Sequence, residues 1–176
     1  EGFVYQTNFD NGTLWNQTSA GFKNFASATG LTFSASSSAQ NASTNRALGY
    51  RQTGSFGDPG AAFVFLIANT NGKSNLQLEF KLQSLDAVAA PARTVTWKVD
   101  YATGLNPGLF STVTTSPATL TTQSGTYANT TVNVNFGSSL NNSSQPIWIR
   151  IVTLAPSTGG GNRPSTAVDD VKFSWN

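Results

Sequence analysis

Ala167-Val168-Asp169-Asp170-Val171-Lys172-Phe173-Ser174-Trp175 is the stretch that decides how the chain is read. Val171, Phe173 and Trp175 alternate with Lys172 and Ser174, which is the period-2 pattern of a half-buried strand. Two adjacent carboxylates stand just before it, in a chain with only eight acidic residues. Near the other end, Phe3-Val4-Tyr5-Gln6-Thr7-Asn8-Phe9-Asp10 has the same character. A first and a last strand, each with an acid at its end, imply a sandwich whose terminal strands pair.

Between them the apolar runs keep the same period. Arg46 to Arg51 reads as a strand, and Leu76, Leu78, Phe80 and Leu82 alternate with polar neighbours. So do Val95, Trp97, Val99 and Tyr101, then Val132, Val134 and Phe136, and finally Ile147, Ile149 and Ile151. Phe63 to Ile67 is apolar on both faces, which predicts a central, doubly covered strand. Ser34 to Asn45 reads as a polar loop, and Phe110 to Leu120 as a β-ribbon. Helical periodicity is missing, and turn signals separate the short strands. The expectation is an all-β, two-sheet antiparallel β-sandwich of jelly-roll type.

Length and composition bound the rest. With 176 residues, one domain over 1–176 is the natural expectation. The absence of Met at position 1 suggests a mature or excised segment of a larger protein. Charged residues make up 10% of the chain, and Ser, Thr, Asn, Gly and Gln fill the gap, as in secreted proteins. The ten basic residues are scattered, so the pI of about 9.1 reflects scarce acids and points to no nucleic-acid partner. The longest apolar run, Ala61 to Ala68, has strand length, so no membrane partner is expected.

Chemistry narrows in the same way. The chain has no Cys and no His, which removes the usual nucleophile–base arrangements and imidazole or thiolate zinc sites. A glycosidase needs two carboxyls across a cleft, and Glu79 and Asp100 on two strong strands are the pair to consider. Solvated strand faces are the commoner reason for such residues, with Lys81 and Lys98 beside them, so no enzyme is expected. Binding is the better candidate, because a pyranose needs a flat aromatic face flanked by hydrogen-bonding groups. Trp97 and Trp175 share faces with core residues. Trp148 and Arg150 oppose the Ile face and would project side by side, unless that face is also covered and Trp148 packs beneath a loop. Arg46, Tyr50, Arg51, Gln77, Glu79 and Lys81 are secondary ligand-binding candidates, and Trp15 and Arg163 offer a rim site instead.

Asn8-Phe9-Asp10 at the start and Ala167-Val168-Asp169-Asp170-Val171 at the end resemble the calcium-containing β-sandwich (jelly-roll) carbohydrate-binding modules and related non-catalytic domains of secreted bacterial proteins. Arg46-Ala47-Leu48-Gly49 and Pro146-Ile147-Trp148-Ile149-Arg150 are similar to sandwich strands of large secreted bacterial proteins. The resemblance implies a structural Ca²⁺ held by Asp169 and Asp10, with Asp170 and Asn8 as further ligands. Hard oxygen donors suit that ion. The alternative is that Asp169 and Asp170 cap turns or pair with Arg163 and Lys172. The expected function is a non-catalytic polysaccharide-binding module, secreted or at the cell surface and covalently linked to other domains. A structural or adhesive cell-surface or filament subunit is the alternative, and a glycan-cleaving jelly-roll enzyme the weaker one.

Overall fold

The computed structural model describes residues 22–27, 36–54, 57–85, 93–125 and 127–176. In chain order these form β1 (Phe22–Ala26), α1 (Ser37–Ala42), β2 (Arg46–Arg51), β3 (Ala62–Ile67), β4 (Gln77–Ser84) and β5 (Thr94–Thr103). There follow β6 (Ser111–Val113), β7 (Thr115–Ser116), β8 (Leu120–Gln123), β9 (Ala128–Asn135), β10 (Ile147–Val152) and β11 (Ser165–Ser174).

The strands make two antiparallel sheets. One has the order β1-β2-β11-β4-β9-β7, and the other β3-β10-β5-β6 with β8 also on β5. The chain changes sheets at nearly every step, and its last two strands slot between earlier ones. This interleaving is the jelly-roll form of the β-sandwich.

Alternation along each strand builds the core. Leu78, Phe80 and Leu82 of β4, Val95, Trp97 and Val99 of β5, and Ile147, Ile149 and Ile151 of β10 all point between the sheets, at most 2% exposed. Burying each such side chain contributes about 1.5–3 kcal/mol, so this shared layer fixes which face of every strand is inward. Three polar side chains inside it form a hydrogen-bonded chain. The Trp97 indole N–H donates to Thr122 Oγ1 at 2.9 Å, and that hydroxyl meets Thr166 Oγ1 at 2.8 Å. Gly49 is required where β1, β2 and β11 crowd together: a Cβ there would lie 2.6 Å from both the Phe25 ring and the Thr166 carbonyl.

Four sequence expectations are corrected. Among the described residues β3 is an edge strand, with Val64 40% and Leu66 57% exposed, although both of its faces are apolar. The polar stretch expected as a loop contains α1, whose first turn is capped by Ser36 accepting the Ala39 N–H at 3.2 Å. Residues 110–120 are no ribbon: β6 pairs with β5 and β7 with β9, so the chain crosses from one sheet to the other there. In β11 the register against β4 shifts between Asp169 and Lys172, with Asp170 at φ 48°. This bulge breaks the simple alternation, so Val168 and Phe173 face the core; Val171 within the bulge and Trp175 past the end of the strand are 38% and 48% exposed. The expected first strand, with Asn8 and Asp10, lies outside the described residues, as does Trp15.

Candidate functional site

The outer face of the six-stranded sheet is built from the residues that alternate with the core. Lys172, Glu79, Asn133 and Ser116 stand directly opposite one another across β11, β4, β9 and β7. Three strand spacings make that row about 14 Å long. A second row, Ser174, Gln77 and Asn135, runs beside it. Together they line a groove of about 470 Å³. Gln77, Glu79, Asn133, Asn135 and Lys172 are all exposed. Asn135 accepts the Gly137 N–H at 2.8 Å, which turns its amide nitrogen outward as a donor. Amides, hydroxyls, a carboxylate and an ammonium offer donors and acceptors of every kind. The lining contains no aromatic ring. Sequence reasoning selects Gln77 and Glu79 here and misses Asn133, Asn135 and Lys172. The signal for the two asparagines is their alternation with Val132, Val134 and Phe136 along β9.

The same face continues to the bulge. There the left-handed backbone of Asp170 sends its carboxylate to Lys81 Nζ at 2.5 Å. That hydrogen bond, with the charge behind it, raises the Lys81 pKa. Asp169 points elsewhere: Oδ2 accepts from the Ser27 hydroxyl and Oδ1 from the Asp170 N–H, both at 2.8 Å. Ser27 Oγ in turn accepts from Gln83 Nε2 at 2.8 Å. Gln83 is fully buried, and its Oε1 has no hydrogen-bond partner. The Asp169 carboxylate and the orphaned Gln83 amide oxygen are hard oxygen donors of the kind a Ca²⁺ ion takes, and each Asp169 oxygen already accepts one hydrogen bond. Asp170 is committed to Lys81, and neither Arg163 nor Lys172 pairs with Asp169 or Asp170. Among the described residues no three acidic side chains converge on a metal position.

Trp148 and Arg150 lie on the opposite side of the molecule, on the outer face of the five-stranded sheet. Trp148 is half-buried, and its indole N–H donates to the Gly104 carbonyl at 2.9 Å. Arg150 is 8% exposed and bonds Asp100 through Nε and Nη2 at 2.9 and 2.8 Å, with its guanidinium 3.5 Å from the centre of the Phe110 ring. The arginine expected to project into solvent is therefore covered by a residue of the β5–β6 connection. That loop covers the strand face, which periodicity alone does not report.

The β2 candidates divide. Tyr50 is fully buried, edge-on to Phe63 and Trp97 with ring centres 6.0 Å away, so it belongs to the core and not to a surface. Burial pushes its phenol pKa up. Arg46 and Arg51 are half-buried, and burial lowers the Arg46 pKa. Glu79 and Asp100 sit on outward faces of different sheets, and Asp100 is 1% exposed. They do not flank a common cleft.

At one end of the sandwich Arg163 binds a buried acid. Asp58 accepts from the Ser157 N–H and hydroxyl, each at 2.6 Å, and from Arg163 Nε. Burial acts to raise the Asp58 pKa, but the Ser157 and Arg163 hydrogen bonds outweigh it and hold the carboxyl below its ordinary value. This clasp ties the loop before β3 to the loop before β11. Comparison with protein-family models, with characterised proteins and with solved structures finds no match for this chain.

Proposed function

We propose that the chain is a non-catalytic polysaccharide-binding module of a secreted protein, taking its glycan in the polar groove of the six-stranded sheet. The observation that carries this is the row Lys172, Glu79, Asn133 and Ser116, open to solvent across four strands. A chain of sugar rings presents hydroxyls along its length, and a row of amide, carboxylate and ammonium groups answers them at strand spacing. Binding in such a groove is hydrogen-bonded rather than stacked, so it favours polar or charged glycans. The resemblance of both chain ends to calcium-containing carbohydrate-binding modules supports the same reading. On it, Asp169 and the Gln83 carbonyl would contribute oxygens to a structural Ca²⁺ site. The ion would neutralise a carboxylate on the sheet and fix the bulge beside the groove. Native affinity electrophoresis against neutral, acidic and sulfated polysaccharides tests the proposal. Retardation by one class, weakened in Asn133→Ala, is the expected result, and retardation by none overturns it.

A further inference from the structure

The edge strand β3 carries a feature that the groove does not explain. Ala62-Phe63-Val64-Phe65-Leu66-Ile67 contains no charge and no proline, and every residue is apolar. Natural edge strands are normally blunted by shortness, a lysine, a proline or a bulge. Two other described edges follow that rule: β6 has three residues, and β7 has two and is followed by Pro117. β3 has six residues and, among the described residues, none of these guards.

Its backbone polarity follows from the pairing. Thr153 N–H donates to the Ala61 carbonyl at 3.0 Å, and the Thr153–Ala61 register continues as Ile151–Phe63, Ile149–Phe65 and Ile147–Ile67. Hydrogen-bonded pairs alternate along an antiparallel ladder, so the odd-numbered residues bond β10. Ala62, Val64 and Leu66 turn their N–H and C=O groups away from it, and among the described residues no strand takes them. The exposed side chains of Val64 and Leu66 lie on the outer face above those same groups.

We propose that β3 is a self-association edge, pairing antiparallel with β3 of a second copy about a two-fold axis through Val64. In that register Val64 faces Val64 of the partner and Ala62 faces Leu66. Each of the three positions exchanges its outward N–H and C=O, and the two sheets become one. A second copy is the matching occupant because no other described edge of this chain offers six consecutive residues. No like charges meet, since the strand has none. The contact is isologous and closes on itself, giving a dimer rather than a filament. A single strand junction is smaller than a standard interface, so the dimer is weak and forms at high local concentration. Phe65 packs on Phe173 beneath β11, whereas the groove extends to β7 at the far edge of its sheet, so both grooves stay open in the dimer. Two linked sites on one polymer would bind with avidity.

Sedimentation velocity of the whole chain over a concentration series up to about 1 mM reads the association directly. The sedimentation coefficient should rise with concentration. Val64→Pro removes one outward donor without touching a bond to β10, and Leu66→Lys adds the missing edge charge. Both variants should stay monomeric at every concentration with melting temperatures near that of the parent. A parent that remains monomeric throughout overturns the proposal. So does a dimer that persists in both variants, or growth into fibrils that bind thioflavin in place of a closed dimer. None of these outcomes depends on glycan binding.

Discussion

Arg150 and Asp100 stand opposite each other on β10 and β5 and share two parallel hydrogen bonds beneath the ring of Phe110. The pair is almost fully covered, with side chains 10% and 2% exposed. A buried ion pair is dear to break and often neutral to replace. Arg150→Met should therefore cost about 3–5 kcal/mol, because it strands a carboxylate in a dry site. Arg150→Met with Asp100→Leu should recover most of that loss. Urea denaturation of the parent, the single and the double variant measures both. A single variant as stable as the parent, with reduced glycan retention, would instead make Arg150 a ligand contact.

Asp58 yields a prediction with a definite pH window. Its folded pKa lies below the ordinary carboxylate value, so the folded state binds its proton less tightly than the unfolded chain does. The stabilisation is complete above the unfolded pKa of about 3.9 and is lost as the pH falls from there through the folded pKa. Asp58→Asn should lower the melting temperature at neutral pH and flatten its decline in acid. The thermal midpoint of both proteins, followed from neutral pH into the acid range, gives the comparison. Parallel acid limbs would show that other carboxylates carry the dependence.

What could be read from the sequence was what period two reports. β4, β5, β9 and β10 are legible because one face of each had to be apolar, and Trp97 falls in the core for that reason. Position within a sheet was not legible. β3 looks central because both faces are apolar, and nothing in six residues shows that only one neighbour arrives. Arg150 and Tyr50 fail differently. Phe110, in the distant β5–β6 connection, covers one, and the other sits where alternation within Arg46–Arg51 gives no contrast between faces. Bulges and strand ends escape too: the left-handed Asp170 shifts the inward position from Val168 to Phe173, and Trp175, expected inside, lies past the end of β11 and stands exposed with Lys73 Nζ 5.6 Å from its ring.

The cluster of Asp169, Ser27 and Gln83 predicts a dependence on calcium. A ligand held only by the folded chain raises its melting temperature by mass action. Added chelator should therefore lower the midpoint of the parent, and Ca²⁺ should restore it. Asp169→Ala should start lower and respond to neither. Gln83→Leu removes the orphaned oxygen; if the ion uses it, the calcium response weakens, while a merely unsatisfied amide would give a variant at least as stable with its response unchanged. Elemental analysis finding no calcium in the purified protein, together with no chelator effect, would remove the ion.

The groove and the tryptophan face make opposite predictions about the same assay, because they lie on different sheets and one glycan strand cannot rest on both. Asn133 and Glu79 are exposed and make no contact that holds the fold, so Asn133→Ala and Glu79→Gln should change stability by less than about 0.5 kcal/mol. Each should weaken glycan retardation severalfold, at roughly 1 kcal/mol per lost hydrogen bond. Trp148→Ala takes away a half-buried ring tied to Gly104, so it should lower stability and leave retardation unchanged where the protein remains folded. Affinity electrophoresis of the three variants, beside their urea midpoints, separates the two surfaces. Loss of retardation in Trp148→Ala alone would move the site to the five-stranded sheet and leave the groove without a ligand.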